Sequence, residues 1–216
     1  MPLLPNWWRR TATCCSLALS LSCGADAAPV ARFPLSADAQ RLLASIRQTS
    51  DNGAAPFLVL DKKQARVWVF DAHAHPVGSA AVLLGLAVGD DSVPGIGERP
   101  LSQILPDERT TPAGRFVIEP GFNLGGDDIL WIDYDAAVSI HRVRAVKATE
   151  RRLQRLASST AADNRISFGC INVPVAFYDR VLSPLFGRTR GVAYLIPETR
   201  PLESVFGFTA QPPRRP

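Results

Sequence analysis

From residue 57 onward the chain is cut into short runs of β-forming residues by joints rich in glycine, proline, asparagine and aspartate, and that punctuation commits it to sheet packing. Runs at 57–60 and 66–70 are separated by Asp61-Lys62-Lys63-Gln64, which predicts a hairpin. A longer run at 77–88 continues the strand signal, and the Gly- and Pro-rich stretch 89–100 reads as a loop over the sheet. Further short strands are expected at 115–119, 129–133, 138–140 and 192–196. Strands this short, joined by turns, predict a mainly β fold with a few helices, as a mostly antiparallel sandwich or barrel-like sheet. With 216 residues, 46% hydrophobic and 20% charged, there is chain enough for one well-buried domain and little for a second.

Three segments keep helical character instead. Residues 36–48 place Ala39, Leu42, Leu43 and Ile46 on one face, behind Ser36 as N-cap. Residues 145–157 are charged and contain alanine and leucine, and residues 174–182 start with Pro174, which suits a first helical turn.

The N-terminal end has a different plan. Arg9-Arg10 precede an uncharged run at 11–23, and Ala25-Asp26-Ala27 supplies the small residues of a cleavage site, so a signal peptide cut after Ala27 is expected. The run falls short of the roughly 20 residues a membrane-spanning anchor needs. A lipoprotein signal would use Cys23, but Ser20 stands where such signals prefer leucine; a twin-arginine route would use Arg9-Arg10 without the usual hydrophobic pair. The expected organisation is a signal peptide at 1–27, a linker and amphipathic helix at 28–55, a catalytic domain at 56–198 and a Pro-rich tail at 199–216. The destination is across the inner membrane, in the periplasm or cell wall, with no stable membrane insertion after cleavage.

Cleavage removes Arg9, Arg10 and Asp26 and moves the net charge from +4 to +3. The basic residues are scattered, without interleaved aromatics or a dense stripe, which argues against nucleic acid and leaves an anionic wall polymer compatible. Cleavage also removes Cys14, Cys15 and Cys23, so Cys170 becomes the only cysteine and no internal disulfide can form. A lone thiol in an exported protein is either buried or used as a nucleophile.

The sequence around it reads Arg165-Ile166-Ser167-Phe168-Gly169-Cys170-Ile171-Asn172-Val173-Pro174. Ser167, Gly169, Cys170, Ile171 and Asn172 match the Ser/Thr-His-Gly-Cys signature of the L,D-transpeptidase (YkuD-type) catalytic domain, which the segment resembles. Ile140-His141 resembles the family's earlier histidine element, Thr111-Pro112-Ala113-Gly114-Arg115-Phe116 its Thr-Pro-x-Gly-x-Phe turn and strand, and residues 57–71 its opening hairpin. The likeness spans roughly residues 56–197. It implies a YkuD-like β sandwich or mixed sheets, with a helix following the catalytic cysteine loop. Two positions depart from the pattern: Phe168 replaces the histidine before Gly-Cys, and Arg142 follows His141 where glycine is common. The segment between His141 and Cys170 is also longer than usual, and its charged helix is a candidate lid over the cleft.

Acyl transfer from a peptide needs a nucleophile stronger than water and a group to take its proton. Cys170 and His141 are the candidate catalytic pair, because a free thiol with a pKa of about 8.5 needs an imidazole or a helix N-terminus beside it to be a thiolate at neutral pH. Ser167, Gly169, Asn172 and Arg165 are candidates for the substrate and oxyanion loop. Gly169 permits close backbone approach, and the amides around Gly169 and Cys170 can face a developing oxyanion. Ser167 either bonds within the loop or shapes its turn; Asn172 either orients the loop or caps the next helix. Arg165 either meets a substrate carboxylate or is a plain exposed arginine. His73 and His75, beside Pro76, read as a turn rather than a metal site, Tyr134 as packing, and no metal or cofactor is required.

The resemblance implies L,D-transpeptidation of peptidoglycan stem peptides through a Cys170 thioester, with carbapenem-type compounds as possible inhibitors. Thioester chemistry does not fix the acceptor, so L,D-carboxypeptidase or endopeptidase action on wall linkages is an alternative. A wall-binding pseudoenzyme is another, if Phe168 and Arg142 mark lost catalysis.

Overall fold

The computed structural model describes residues 34–207. The expected signal peptide at 1–27 and the end of the Pro-rich tail lie outside the described residues. Among the described residues, no helix is long and apolar enough to cross a membrane.

Among the described residues, ten strands follow a first helix, α1 (Ala37–Thr49): β1 (Phe57–Asp61), β2 (Arg66–Phe70), β3 (Pro76–Ala81), β4 (Leu84–Gly85), β5 (Gly114–Phe122), β6 (Asp128–Asp133), β7 (Val138–Arg142), β8 (Arg165–Ser167), β9 (Ile171–Val173) and β10 (Gly191–Ile196). Eight form one sheet in the order β3-β2-β1-β10-β5-β6-β7-β9, and β4 and β8 form a small second one. The expected hairpin is present: β1 and β2 pair antiparallel with Phe57 opposite Phe70, and Asp61 Oδ1 accepts from Gln64 N–H in the turn. The fold is mainly β, with short helices around it.

Five of the seven pairings in the main sheet are antiparallel, as expected, and the others are parallel. β1 pairs parallel with β10, β7 with β9, and β4 with β8. Strand direction in such pairings is set by the crossover that brings distant strands together, which an apolar run does not encode. The run 77–88 is also split. β3 stops at Ala81, and Leu83 crosses to pair its backbone with Asn172. Val82, Leu83 and Leu84 stay wholly buried, so the apolar run keeps its burial while changing sheets.

The central strands are covered on both faces, which is why they read as unbroken apolar runs. Phe57, Val59, Trp68, Phe70, Val192, Tyr194 and Ile196 pack under Ala39, Leu42, Leu43 and Ile46 of α1. The helix starts as its sequence predicts, with Ser36 Oγ accepting from Ala39 N–H at 3.1 Å. Leu58, Leu60, Val67, Val69, Ala193 and Leu195 face the opposite core, shared with Ile140 and Ile171 of β7 and β9.

The segment 145–157 is less helical than expected: a 3-10 turn (Ala148–Glu150) and then α2 (Arg152–Ala157), broken at Arg151 with φ +50°. After β9 the chain forms α3 (Val175–Phe177), a π turn (Tyr178–Leu182) and α4 (Ser183–Phe186) as one stretch. It runs past residue 182 because Pro184, which has no N–H to donate, is accommodated where the π turn meets α4. Residues after 198 start with a further helix, α5 (Leu202–Phe206), whose Leu202 is buried in the α1-side core.

Candidate functional site

The site is built on the parallel pair β7 and β9, where Ile140 lies opposite Ile171 and His141 opposite Asn172. Side chains alternate across a strand, so Ile140 and Ile171 enter the core while Ser139, His141 and Asn172 share the other face. Cys170, one step before β9, joins them, with its Sγ 3.6 Å from Ser139 Oγ and 3.6 Å from Ala137 O. Cys170 is half-buried, neither sealed in the core nor freely exposed.

His141 and Cys170 face each other across the β7–β9 pair, and each side chain shifts the titration of the other. The Nδ1–H of His141 donates to Arg142 O at 2.8 Å, which fixes the ring and leaves Nε2 for the thiol. Burial pushes the thiol up, but the hydrogen bond and charge of His141, with Ser139, outweigh it and hold Cys170 below the ordinary thiol value. Burial likewise pushes the imidazolium of His141 down, and the Cys170 hydrogen bond and charge reverse that, so its value lies above an ordinary histidine's. The two opposed shifts favour the thiolate and the imidazolium forms respectively.

The loop before β9 is tied from several sides. Ser167 Oγ donates to Cys170 O at 2.6 Å and accepts from Gly169 N–H at 3.1 Å, so Ser167 closes the turn. The Gly169 amide is therefore committed inside the loop and does not face an oxyanion. Gly169 has φ +132°, and a Cβ there would lie 2.8 Å from Thr110 O. Thr111 Oγ1 donates to Gly169 O at 2.8 Å and accepts from Gly85 N–H at 2.9 Å. Asn172 orients the loop and does not cap a helix: its Nδ2 donates to Cys170 O at 3.2 Å, and its Oδ1 accepts from Arg152 at 2.7 Å. The helix after Pro174 does not reach the thiol, because β9 places three extended residues, roughly 10 Å, between them.

Arg165 is brought to the loop's base and not to the sulfur. Its guanidinium pairs with Glu198 and donates to Lys62 O at 3.1 Å and Ala87 O at 3.3 Å, so it is neither exposed nor free for a substrate carboxylate. Phe168 lies under the guanidinium of Arg109, 3.9 Å from its ring centroid. Arg142 bonds Asp128 and Asp179, each at 2.7 Å, and stacks over Tyr178. A surface depression beside His141 is lined by Asp127, Asp128, Arg142 and Arg144. His73 and His75 form a turn in which Asp71 accepts from both backbone N–H groups. Tyr134 stacks on Trp131 at 4.9 Å. Among the described residues, no group of three or more His, Cys, Asp or Glu is arranged to hold a metal.

Sequence reasoning missed Ser139, Arg109 and Arg152 as members of the site. Ser139 was reachable, since it stands two residues before His141 on the same strand face; Thr111 opens the Thr-Pro-x-Gly-x-Phe stretch, which by itself gives it no role. Nothing local marks Arg109 or Arg152.

No family model matches the chain, and no curated protein matches it. Solved structures do. The L,D-transpeptidase (residues 123–326) from Xylanimonas cellulosilytica DSM 15894 is 11% identical with a TM-score of 0.42, over 65% of this chain and 60% of that one. The catalytic domain of the E. faecium L,D-transpeptidase is 16% identical with a TM-score of 0.39, over 66% of this chain and 98% of that one. The helical cell shape determining protein Pgp2 (K307A mutant) from Campylobacter jejuni is 13% identical with a TM-score of 0.45, over 73% of this chain and 54% of that one. The chain thus spans less than two thirds of the Xylanimonas and Campylobacter chains. The first two of these solved structures are L,D-transpeptidases, the family that the motifs around His141 and Cys170 resemble.

Proposed function

We propose that the protein is an exported cysteine acyltransferase acting on peptidoglycan stem peptides, with Cys170 as nucleophile and His141 as base. The observation that carries this reading is the half-buried Cys170 on the same face of the β7–β9 pair as His141, whose Nδ1 is already committed to Arg142 O and whose imidazole holds the thiol below its ordinary value. The thiolate attacks the carbonyl of a diaminopimelate or lysine residue in a stem tetrapeptide, forming a C–S bond. The tetrahedral adduct expels D-alanine as its amine, and His141 supplies the proton that it took from the thiol. The backbone N–H of Cys170 is the loop amide assigned to the oxyanion, since that of Gly169 is engaged with Ser167. An acceptor amine then attacks the thioester, frees Cys170 and leaves a new amide; water as acceptor gives carboxypeptidase action.

Three measurements test the proposal. Incubation with a carbapenem is expected to add one inhibitor mass to the wild type and none to Cys170→Ala. His141→Gln is expected to retain the thiol but move its alkylation by iodoacetamide to higher pH, because the partner that holds the thiol down is gone. Digested peptidoglycan, resolved by mass, then distinguishes cross-linked product from shortened stems. A wild type with neither adduct nor altered products sinks the reading in favour of a wall-binding protein.

A further inference from the structure

The chain between β7 and β9 meets the candidate site through one side chain. Arg152, at the start of α2, donates Nη1 to Asn172 Oδ1 at 2.7 Å and Nε to Glu150 Oε2 at 2.6 Å. Asn172 is wholly buried, lies opposite His141 in the strand register, and donates Nδ2 to the carbonyl of Cys170. A primary amide has one accepting and one donating end, and a guanidinium can only donate. With Arg152 on Oδ1, the amide is held in the orientation that puts Nδ2 on Cys170 O. Because Asn172 lies opposite His141, the guanidinium on its Oδ1 brings a positive charge toward the imidazole, which opposes the imidazolium form.

We propose that Arg152 is a positioning residue of the Cys170–His141 pair: through it the 143–164 segment clamps the thiol loop in register with the imidazole and supplies a cation that favours loss of protons from the pair. This rests on Cys170 and His141 acting together as described above. It also replaces a lid with a clamp, because Arg152 is bonded into the strand pair and Arg155 braces the segment internally, donating to Glu150 O at 2.9 Å and Asp163 O at 3.0 Å.

The charged groups facing His141 are few. Cys170 approaches from the loop before β9, and Arg152 from α2 with Glu150 bonded to it. Asp127 and Asp128 lie at the entry to β6, and Arg142 and Arg144 at and beyond the end of β7. Asp127 pairs with Arg144, and Arg142 with both Asp128 and Asp179, so this set carries one net negative charge. Glu150 offsets part of the Arg152 charge, which makes the expected displacement modest.

The test is the rate of Cys170 alkylation by iodoacetamide as a function of pH, which needs no wall substrate. A nearby cation favours the deprotonated form of both members of the pair, so Arg152→Met is expected to move both limbs of the profile to higher pH and to slow alkylation at neutral pH by about three- to tenfold. Arg152→Lys keeps the charge but not the planar fork; it is expected to restore the midpoints but not the full rate. A wild-type profile and rate in Arg152→Met overturns the proposal, as does a lowered melting temperature with an unmoved profile. Should Arg152→Met fail to fold, Glu150→Gln carries the test. It strips the counter-charge, leaves the bond to Asn172, and is expected to move the profile to lower pH; no movement overturns the clamp. A wild-type thiol that titrates like a free cysteine overturns instead the pairing of Cys170 with His141, and the clamp with it.

Discussion

At the scale of single residues, Gly169 and its neighbours decide whether the thiol is presented at all. Its φ of +132° lies where side chains are strained, and the atom a Cβ would strike, Thr110 O at 2.8 Å, is backbone and cannot swing aside. Gly169→Ala is therefore expected to destabilise the fold by about 1–3 kcal/mol and to cut Cys170 alkylation at neutral pH, read from denaturant unfolding and from iodoacetamide kinetics on the same preparation. Normal stability with normal kinetics would mean that the loop has a second conformation. Phe168 illustrates a different residue-level exchange. Where the family pattern has a histidine, this chain has an aromatic ring capped by Arg109, a contact worth about 0.5–2 kcal/mol. The exchange gives up a polar neighbour of the thiol and gains a rigid wall for the loop. His141 is untouched by it, since its ring is fixed from the β7 side through Arg142 O.

At the scale of elements, the thiol loop depends on a buried ionic cluster that it does not touch. Lys62, in the β1–β2 turn, is 1% exposed and donates to Gly89 O, Asp90 and Thr111 O at 2.5–2.9 Å, with Glu198 at 3.6 Å. It joins the hairpin turn, the stretch after β4, the segment carrying Thr111 and the end of β10, and Thr111 in turn holds Gly169. Removing one partner leaves buried charge uncompensated, so Lys62→Met is expected to cost about 3–5 kcal/mol, measured by urea unfolding at neutral pH. The cluster also sets acid sensitivity. Burial pushes the carboxyl of Asp90 up, but Lys62, Thr199 and the backbone N–H groups of Glu198 and Thr199 win and hold it well below the usual carboxylate range. A depressed folded-state value stabilises the fold above the unfolded carboxylate value of about 3.9. That contribution is lost as pH falls below it, and the loss is expected to be absent in Asp90→Asn. Little of this cluster was legible beforehand, because an isolated lysine in a turn sequence reads as solvated. The strands β1, β2 and β10 were legible because both-face burial writes them as apolar runs, and β5, β6 and β7 because their β-forming residues are set off by turn residues. β8 and β9, three residues each, carry no period, and their partners β4 and β7 lie far away in sequence. The helix expected at 145–157 was cut short because Arg151 takes a left-handed conformation that ordinary helix patterning does not announce. Cys170 and His141 were legible through their motifs; Arg152, which ties them together, was not.

At the scale of the whole molecule, one sheet separates two cores with different duties. α1 and α5 close one face of β1, β2 and β10, while the opposite core runs under β7 and β9 and so under the candidate site. Close-packed interiors transmit strain across contacts, so the two cores need not behave alike when cavities are made in them. Leu42, on α1, and Ile171, directly after Cys170, are both buried at 2% or less, in different cores. Leu42→Ala and Ile171→Ala are each expected to cost about 2–5 kcal/mol. Their effects on the thiol should diverge. Ile171→Ala loosens the strand that aligns Cys170 with His141 and is expected to slow alkylation and broaden its pH profile, whereas Leu42→Ala is expected to leave rate and profile at wild-type values in buffer without denaturant. The comparison needs both measurements on each variant, because only the pairing of equal destabilisation with unequal reactivity separates local alignment from global stability. Were Leu42→Ala to displace the profile as far as Ile171→Ala does, the sheet would be carrying strain from α1 to the thiol, and the covering helix would have to be counted as part of the site.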